Sequence, residues 1–141
     1  MSHTSVTLHP YIYFKGQAKE AMEFYKSVFG GELSITPYSD VPGMAVEEGQ
    51  EDWAMHVQLS GGDVKLFASD TSQASPVAAK IELALGGEDE TRLREIFGKL
   101  SEDGEVRQPL HKESWGDIFG NLTDRYGVVW MMNIMVPKVA G

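Results

Sequence analysis

Two histidines and one short acidic–aromatic cluster are the residues of this chain whose types and spacing could do chemistry. His9 opens the segment HPYIYF, where alternation puts His9, Tyr11 and Tyr13 on one side and Pro10, Ile12 and Phe14 on the other. His56 stands in AMHVQL, on the same side as Ala54 and Gln58. An imidazole titrates near neutral pH and can serve as an acid, a base or a metal ligand. Each also has a plainer reading, His9 as a strand-start residue bonded to a neighbour and His56 as a satisfied sheet-face residue. His3 and His111 read as surface residues. The third feature is Glu113-Ser114-Trp115-Gly116-Asp117, which joins a turn glycine, a flat apolar ring and two charges. It is either a hairpin that packs its Trp on the core or one wall of a binding site. Tyr11, Tyr13, Trp53, Phe67 and Phe119 could line the same cavity, since small-molecule sites have aromatic walls with few polar groups. Aromatics on strands are, however, more often core.

Composition narrows the chemistry. No cysteine is present, so there is no disulfide, thiol nucleophile or thiolate metal site. The net charge is −9 and the basic residues are scattered, which disfavours nucleic-acid and anionic-membrane partners. No apolar run approaches the roughly 20 residues that span a bilayer. The start, MSHTSVTLHP, lacks the basic and apolar regions of a signal peptide, so a cytoplasmic protein is expected. No nucleophile-elbow motif accompanies the serines and histidines. The length of 141 residues suits one domain, or two small halves sharing a core.

The elements that must position these residues follow from periodicity. His9 to Phe14 reads as a strand. Ala18, Ala21, Met22, Tyr25 and Val28 or Phe29 recur at helical spacing, and Gly30-Gly31 ends that helix. Strands are expected at Glu32 to Tyr38, Trp53 to Leu59 and Val64 to Ala68, the last two joined by a Gly61-Gly62-Asp63 turn. Ser39 to Asp52 reads as a solvated loop that could close as a lid. The same grammar then returns. A strand at Ala79 to Leu85 leads to a helix with Leu93, Ile96, Phe97 and Leu100 as its stripe and acid at its start. Gly104 stops that helix. Strands near Val106 to Leu110, Ile118 to Thr123 and Val128 to Ile134 complete the second half. Asp124 to Gly127 is expected to be only a turn, with Trp130 packed beneath the last strand. Phe14 maps to Leu85, Tyr25 to Phe97 and Leu33 to Val106, with one-residue drifts in turns. The expectation is α+β: a single domain over 1–141 with βαβββ modules at about 7–70 and 78–136 and a linker at 71–77. Neither module can bury its sheet face alone, so the two form one curved mixed sheet with helices on its outer face.

With PYIYFKGQAKEAMEFYKSVFGGEL at the front and ESWGDIFGNLTDRYGVVWMMNI at the back, the chain resembles the vicinal oxygen chelate superfamily. That superfamily holds glyoxalases, bleomycin- and fosfomycin-resistance proteins and extradiol dioxygenases. Within it the chain is similar to the PhnB-like, demethylubiquinone methyltransferase-like branch, over nearly its whole length. No Rossmann-type Gly-rich turn for a methyl donor follows a strand. The resemblance implies metal ligands on the first and last strands of each half, where three protein ligands and an open position would serve metal-assisted chemistry. His9 matches one such position. The others fall on Lys80, on about Met131, and among Lys65, Phe67 and Ser69, with Glu82 the nearest spare carboxylate.

One match in four points away from the glyoxalase-type metal quartet. The expected function is binding of a small molecule in a concave cup by His9, Tyr11, Tyr13, His56, Trp115 and Phe119, with sequestration as one form of it. No cofactor is expected. The alternative is a metal-dependent lyase or dioxygenase with a divalent metal on His9 and His56. A third reading is a scaffold whose cup is filled by its own side chains. A homodimer is expected because superfamily members often pair and exposed sheet edges need cover.

Overall fold

The computed structural model describes residues 8–41, 43, 47–72 and 81–137. The chain divides into two compact units, residues 1–76 and 77–141. In the first unit the order is β1 (Tyr11–Phe14), α1 (Ala18–Phe29), β2 (Glu32–Pro37), β3 (Ala54–Ser60) and β4 (Leu66–Asp70). Its sheet runs β1-β4-β3-β2, with β1 parallel to β4 and the other pairs antiparallel. The second unit repeats this as β5 (Leu83–Gly87), α2 (Glu90–Ser101), β6 (Glu105–Lys112), β7 (Ile118–Thr123) and β8 (Val129–Ile134). Its order is β5-β8-β7-β6, again with the first and last strands parallel. Both expected βαβββ modules are present, and the class is α+β.

Each sheet has a helix-covered face made of alternate residues. Ala18, Ala21, Met22, Tyr25, Val28 and Phe29 are all buried, forming the stripe of α1. In the first sheet Val57, Leu59, Leu66 and Ala68 are buried with them. In the second unit Leu93, Ile96, Phe97 and Leu100 of α2 are buried, as are Leu122, Trp130, Met132 and Ile134. The strand residues between these positions form the other face of each sheet, which carries the candidate chemistry.

Asp70 fastens the first unit. The carboxylate is buried at the end of β4. Its Oδ1 accepts from the N–H groups of Gly16 at 2.8 Å and Ala18 at 2.9 Å, and its Oδ2 accepts from Ala54 at 3.0 Å. Gln17, at the start of α1, makes no capping bond with its own side chain. The helix start is thus satisfied by a carboxylate 52 residues away. The second helix is capped locally, by Asp89 accepting from the N–H of Arg92. Asp124 does comparable work in the β7–β8 turn. It accepts from the N–H groups of Tyr126 and Val128 and from the indole N–H of Trp130. The turn and the buried Trp130 expected there are both found.

Several boundaries move for physical reasons. Strand β4 runs two residues later than expected and ends on Asp70, because that carboxylate's partners lie at the sheet's end. Strand β5 runs Leu83–Gly87; Ala79 and Lys80, where it was expected to begin, fall outside the described residues, as do most of the linker, His3 and residues 42 and 44–46 of the loop expected as a lid. The rest of that loop begins with a 3-10 turn at Tyr38–Asp40, and its ends are joined by Ser39 N–H to the Glu51 carbonyl. Gly104 is not the left-handed residue after α2; Asp103 is, at φ 58°. What Gly104 supplies is closeness, since a Cβ there would stand 2.5 Å from the Thr123 carbonyl oxygen. Gly31 has the matching role in the first unit, 2.5 Å from the Ser60 oxygen by the same measure. In both halves the chain leaving the helix grazes the end of the third strand, and only glycine fits.

Replacing Asp70 by Ala would orphan three N–H donors. An Asp70→Ala variant is expected to lose about 3 kcal/mol or more of stability in urea unfolding, since charge-assisted bonds contribute roughly 1.5–3 kcal/mol each and do not simply add. Asp70→Asn should lose less. A loss below 1 kcal/mol for the Ala variant would show that the fold does not depend on this carboxylate.

Candidate functional site

The face of the first sheet away from α1 is organised around one ring. Phe67 sits near the centre of β4, opposite Tyr11 on β1 and Gln58 on β3. His9, just ahead of β1, meets its ring edge-on with centroids 5.4 Å apart. His56 lies 5.5 Å away and Tyr11 6.1 Å away. Tyr11 also contacts Tyr13, at 5.1 Å, and shares a hydrogen bond of 3.1 Å with His56 Nδ1. The Lys65 ammonium lies 5.6 Å from the Phe67 centroid. Tyr11 and Tyr13 remain 42% and 61% exposed, a large aromatic area left in solvent by residues that could have been buried.

Alternation explains the gathering. Tyr11 and Tyr13 point opposite to the buried Phe14, Phe67 points opposite to Leu66 and Ala68, and His56 opposite to Val57. Four of the six expected binding residues therefore meet on one surface: His9, Tyr11, Tyr13 and His56. Phe67, weighed only as a possible wall, is their centre. Trp53 takes a different place. Its indole packs on Gly16 in the β1–α1 turn, where a Cβ would lie 3.2 Å from the ring.

Trp115 and Phe119 belong to the second unit and form a separate pair, edge-on at 6.4 Å. The indole is 54% exposed, so the hairpin does not bury its Trp in the core. The turn is nevertheless well fastened. Glu113 N–H donates to the Asp117 carbonyl, and Gly116 N–H to that of Glu113. The Asp117 carboxylate accepts from the Asn133 amide at 3.1 Å and from Val136 N–H at 3.2 Å. His111, directly across from Phe119 on β6, has one ring nitrogen on the Pro109 carbonyl and the other on the Glu113 carboxylate.

The described residues at the ligand positions implied by the superfamily are of mixed chemistry. His9 and His56 both border Phe67, but the groups beside them are a phenol and an ammonium. Met131 offers a thioether and Ser69 a buried hydroxyl. Glu82 is exposed ahead of β5. Among the described residues no three His, Cys, Asp or Glu side chains converge as a metal group.

His111 is a surface residue, as expected, and is tied at both nitrogens. Two acceptors can both be satisfied only by the imidazolium, so the Pro109 carbonyl and the Glu113 carboxylate hold its pKa above the ordinary 6.5. A raised folded-state value means that its stabilising effect is full below pH 6.5 and fades as pH rises through the folded pKa. A proton NMR titration should place His111 above 6.5, and Glu113→Gln should bring it back down. A value in Glu113→Gln equal to wild type would exclude the carboxylate as a cause.

Comparison with known proteins places this geometry. The chain matches PA1353 from Pseudomonas aeruginosa, with 32% identity, a TM-score of 0.82, and coverage of 94% of this chain and 100% of that one. It matches the PhnB protein from Bacillus cereus at 27% identity and a TM-score of 0.73, covering 92% and 100%. A glyoxalase/bleomycin resistance protein/dioxygenase family enzyme from Burkholderia phytofirmans PsJN shares the fold at 11% identity and a TM-score of 0.59, covering 91% and 97%. The model of the 3-demethylubiquinone-9 3-methyltransferase family matches residues 6–133. The chain therefore belongs to the 3-demethylubiquinone-9 3-methyltransferase family, is similar to a PhnB protein, and shares the fold of a glyoxalase/bleomycin resistance/dioxygenase family enzyme.

Proposed function

We propose that this protein binds a small planar molecule on the open face of its first sheet. The observation that carries the reading is the ring cluster around Phe67, which combines half-exposed aromatic surface with the Tyr11–His56 pair as its polar point. Exposed tyrosines on a fixed strand present flat area with little side-chain entropy to lose on binding. The exposed Trp115 and its partner Phe119 give the second unit aromatic surface of its own.

Methyl transfer, which the family's name carries, has little support in these residues. The two strand-to-helix turns read Lys15-Gly16-Gln17 and Glu88-Asp89, unlike the glycine-rich turn that cradles a nucleotide-based donor. The metal-dependent lyase or dioxygenase reading keeps only His9 and His56. Pairing of two copies is part of the proposal and is supported by the edge strands that each sheet leaves, β1 and β2 in one and β5 and β6 in the other.

The test is a screen of planar aromatic fragments by saturation-transfer NMR, run beside thermal melts with Mn²⁺, Fe²⁺, Ni²⁺ and Zn²⁺. Hits are expected that weaken about fivefold or more in Tyr11→Leu, since an aromatic contact contributes roughly 0.5–1.5 kcal/mol beyond its area. Hits indifferent to Tyr11→Leu and to Phe67→Leu, or none at all, would sink the binding face. A metal-induced melt shift that His9→Ala abolishes would instead favour the metal-dependent enzyme.

A further inference from the structure

The chain is acidic, yet the charged group beside the Phe67 ring is a cation. The protein has 21 acidic and 12 basic residues. Around Phe67, however, stand the Lys65 ammonium and the imidazoles of His9 and His56, all within 5.6 Å of its ring by centroid or nitrogen distance. Among the strand residues that alternate onto this face, only Glu32 is acidic. It pairs with Ser60 on β2, the edge strand farthest from β1 in the sheet order. Asp70, the acid at the end of β4, is turned to the other side and spent on three backbone N–H groups. Among the described residues no carboxylate pairs with Lys65, whose recorded neighbour is the Phe67 ring.

Resting on the binding reading above, we infer that the molecule bound at Phe67 is a planar anion, an aromatic ring bearing a carboxylate or similar acid. The ring would lie against Phe67, Tyr11 and Tyr13, while its acid group takes charge-assisted bonds from Lys65 and an imidazole N–H. Such bonds are stronger than neutral ones, and they favour an anion over a neutral isostere of the same shape. The Tyr11 hydroxyl, already shared with His56, can turn its proton toward an incoming oxygen. A cation of the same shape meets Lys65 as a like charge. The surrounding net charge of −9 opposes the anion at long range, so binding should strengthen as salt screens that repulsion while the short-range contact survives.

Three matched probes separate this inference from the reading under it: 2-naphthoate, 2-naphthamide and 2-naphthylmethylammonium, titrated into the full chain by calorimetry. The naphthoate is expected to bind about tenfold tighter than the amide, as one charge-assisted bond implies, and the ammonium weakest. Lys65→Met should erase the preference for the naphthoate over the amide. Equal binding of all three, weakened by Tyr11→Leu, would overturn the anion and leave the binding face standing. Preference for the ammonium would overturn it as well. Failure of all three to bind would remove both. Lys65 is exposed and outside the core, so its variant should fold, and an unchanged melt would confirm that.

Discussion

The first unit depends on one buried carboxylate. Asp70 brings together the β1–α1 turn, the start of α1 and the start of β3. Burying a charge is costly unless its lone pairs are filled, and here three backbone donors fill them. The consequence reaches the open face. Because Asp70 holds the turn after β1 and the entry to β3, it fixes the strands that carry Tyr11, Tyr13 and His56 on either side of β4. The ring cluster around Phe67 is thus assembled by a contact on the opposite side of the same sheet.

Much of this was legible in the residues. The helical stripes of α1 and α2, the alternation at Tyr11 and Tyr13, the Asp124 turn and the internal repeat all follow from local periodicity, and periodicity is what a sequence displays. The grouping of His9, Tyr11, Tyr13 and His56 was readable because alternation assigns faces before contacts are known. What was hidden depends on register between strands. Phe67 becomes the centre only once β1 is seen to pair with β4 in parallel, opposite Tyr11. Asp70 lies just past the strand expected at Val64 to Ala68, and nothing near it in sequence shows that its partners lie at residues 16, 18 and 54. Trp53 stands an odd number of residues from His56, which sets it off that face by alternation, and its indole goes to Gly16 instead.

The two units solve the same problems with different residues. Each helix exit grazes the end of its third strand through a glycine, Gly31 or Gly104, and each sheet joins its first and last strands in parallel. Their open faces differ. One gathers histidines and a lysine around phenyl and phenol rings; the other displays a single indole on a hairpin braced by Asp117 and by the His111–Glu113 pair. A repeat that keeps its backbone rules while its other faces diverge is free to change its surface chemistry without changing how it folds.

The distant cap on α1 also sets an order of events during synthesis. A twelve-residue helix is marginal by itself, and α2 receives its capping aspartate just before its own residues are made. The first helix emerges from the ribosome with its leading N–H groups unmet and stays so until residue 70 follows. Closure of the first unit is therefore a late, non-local step that waits for β4, while the second unit can nucleate its helix as soon as it appears. In this chain the N-terminal half, though made first, has the longer wait before its helix is secured.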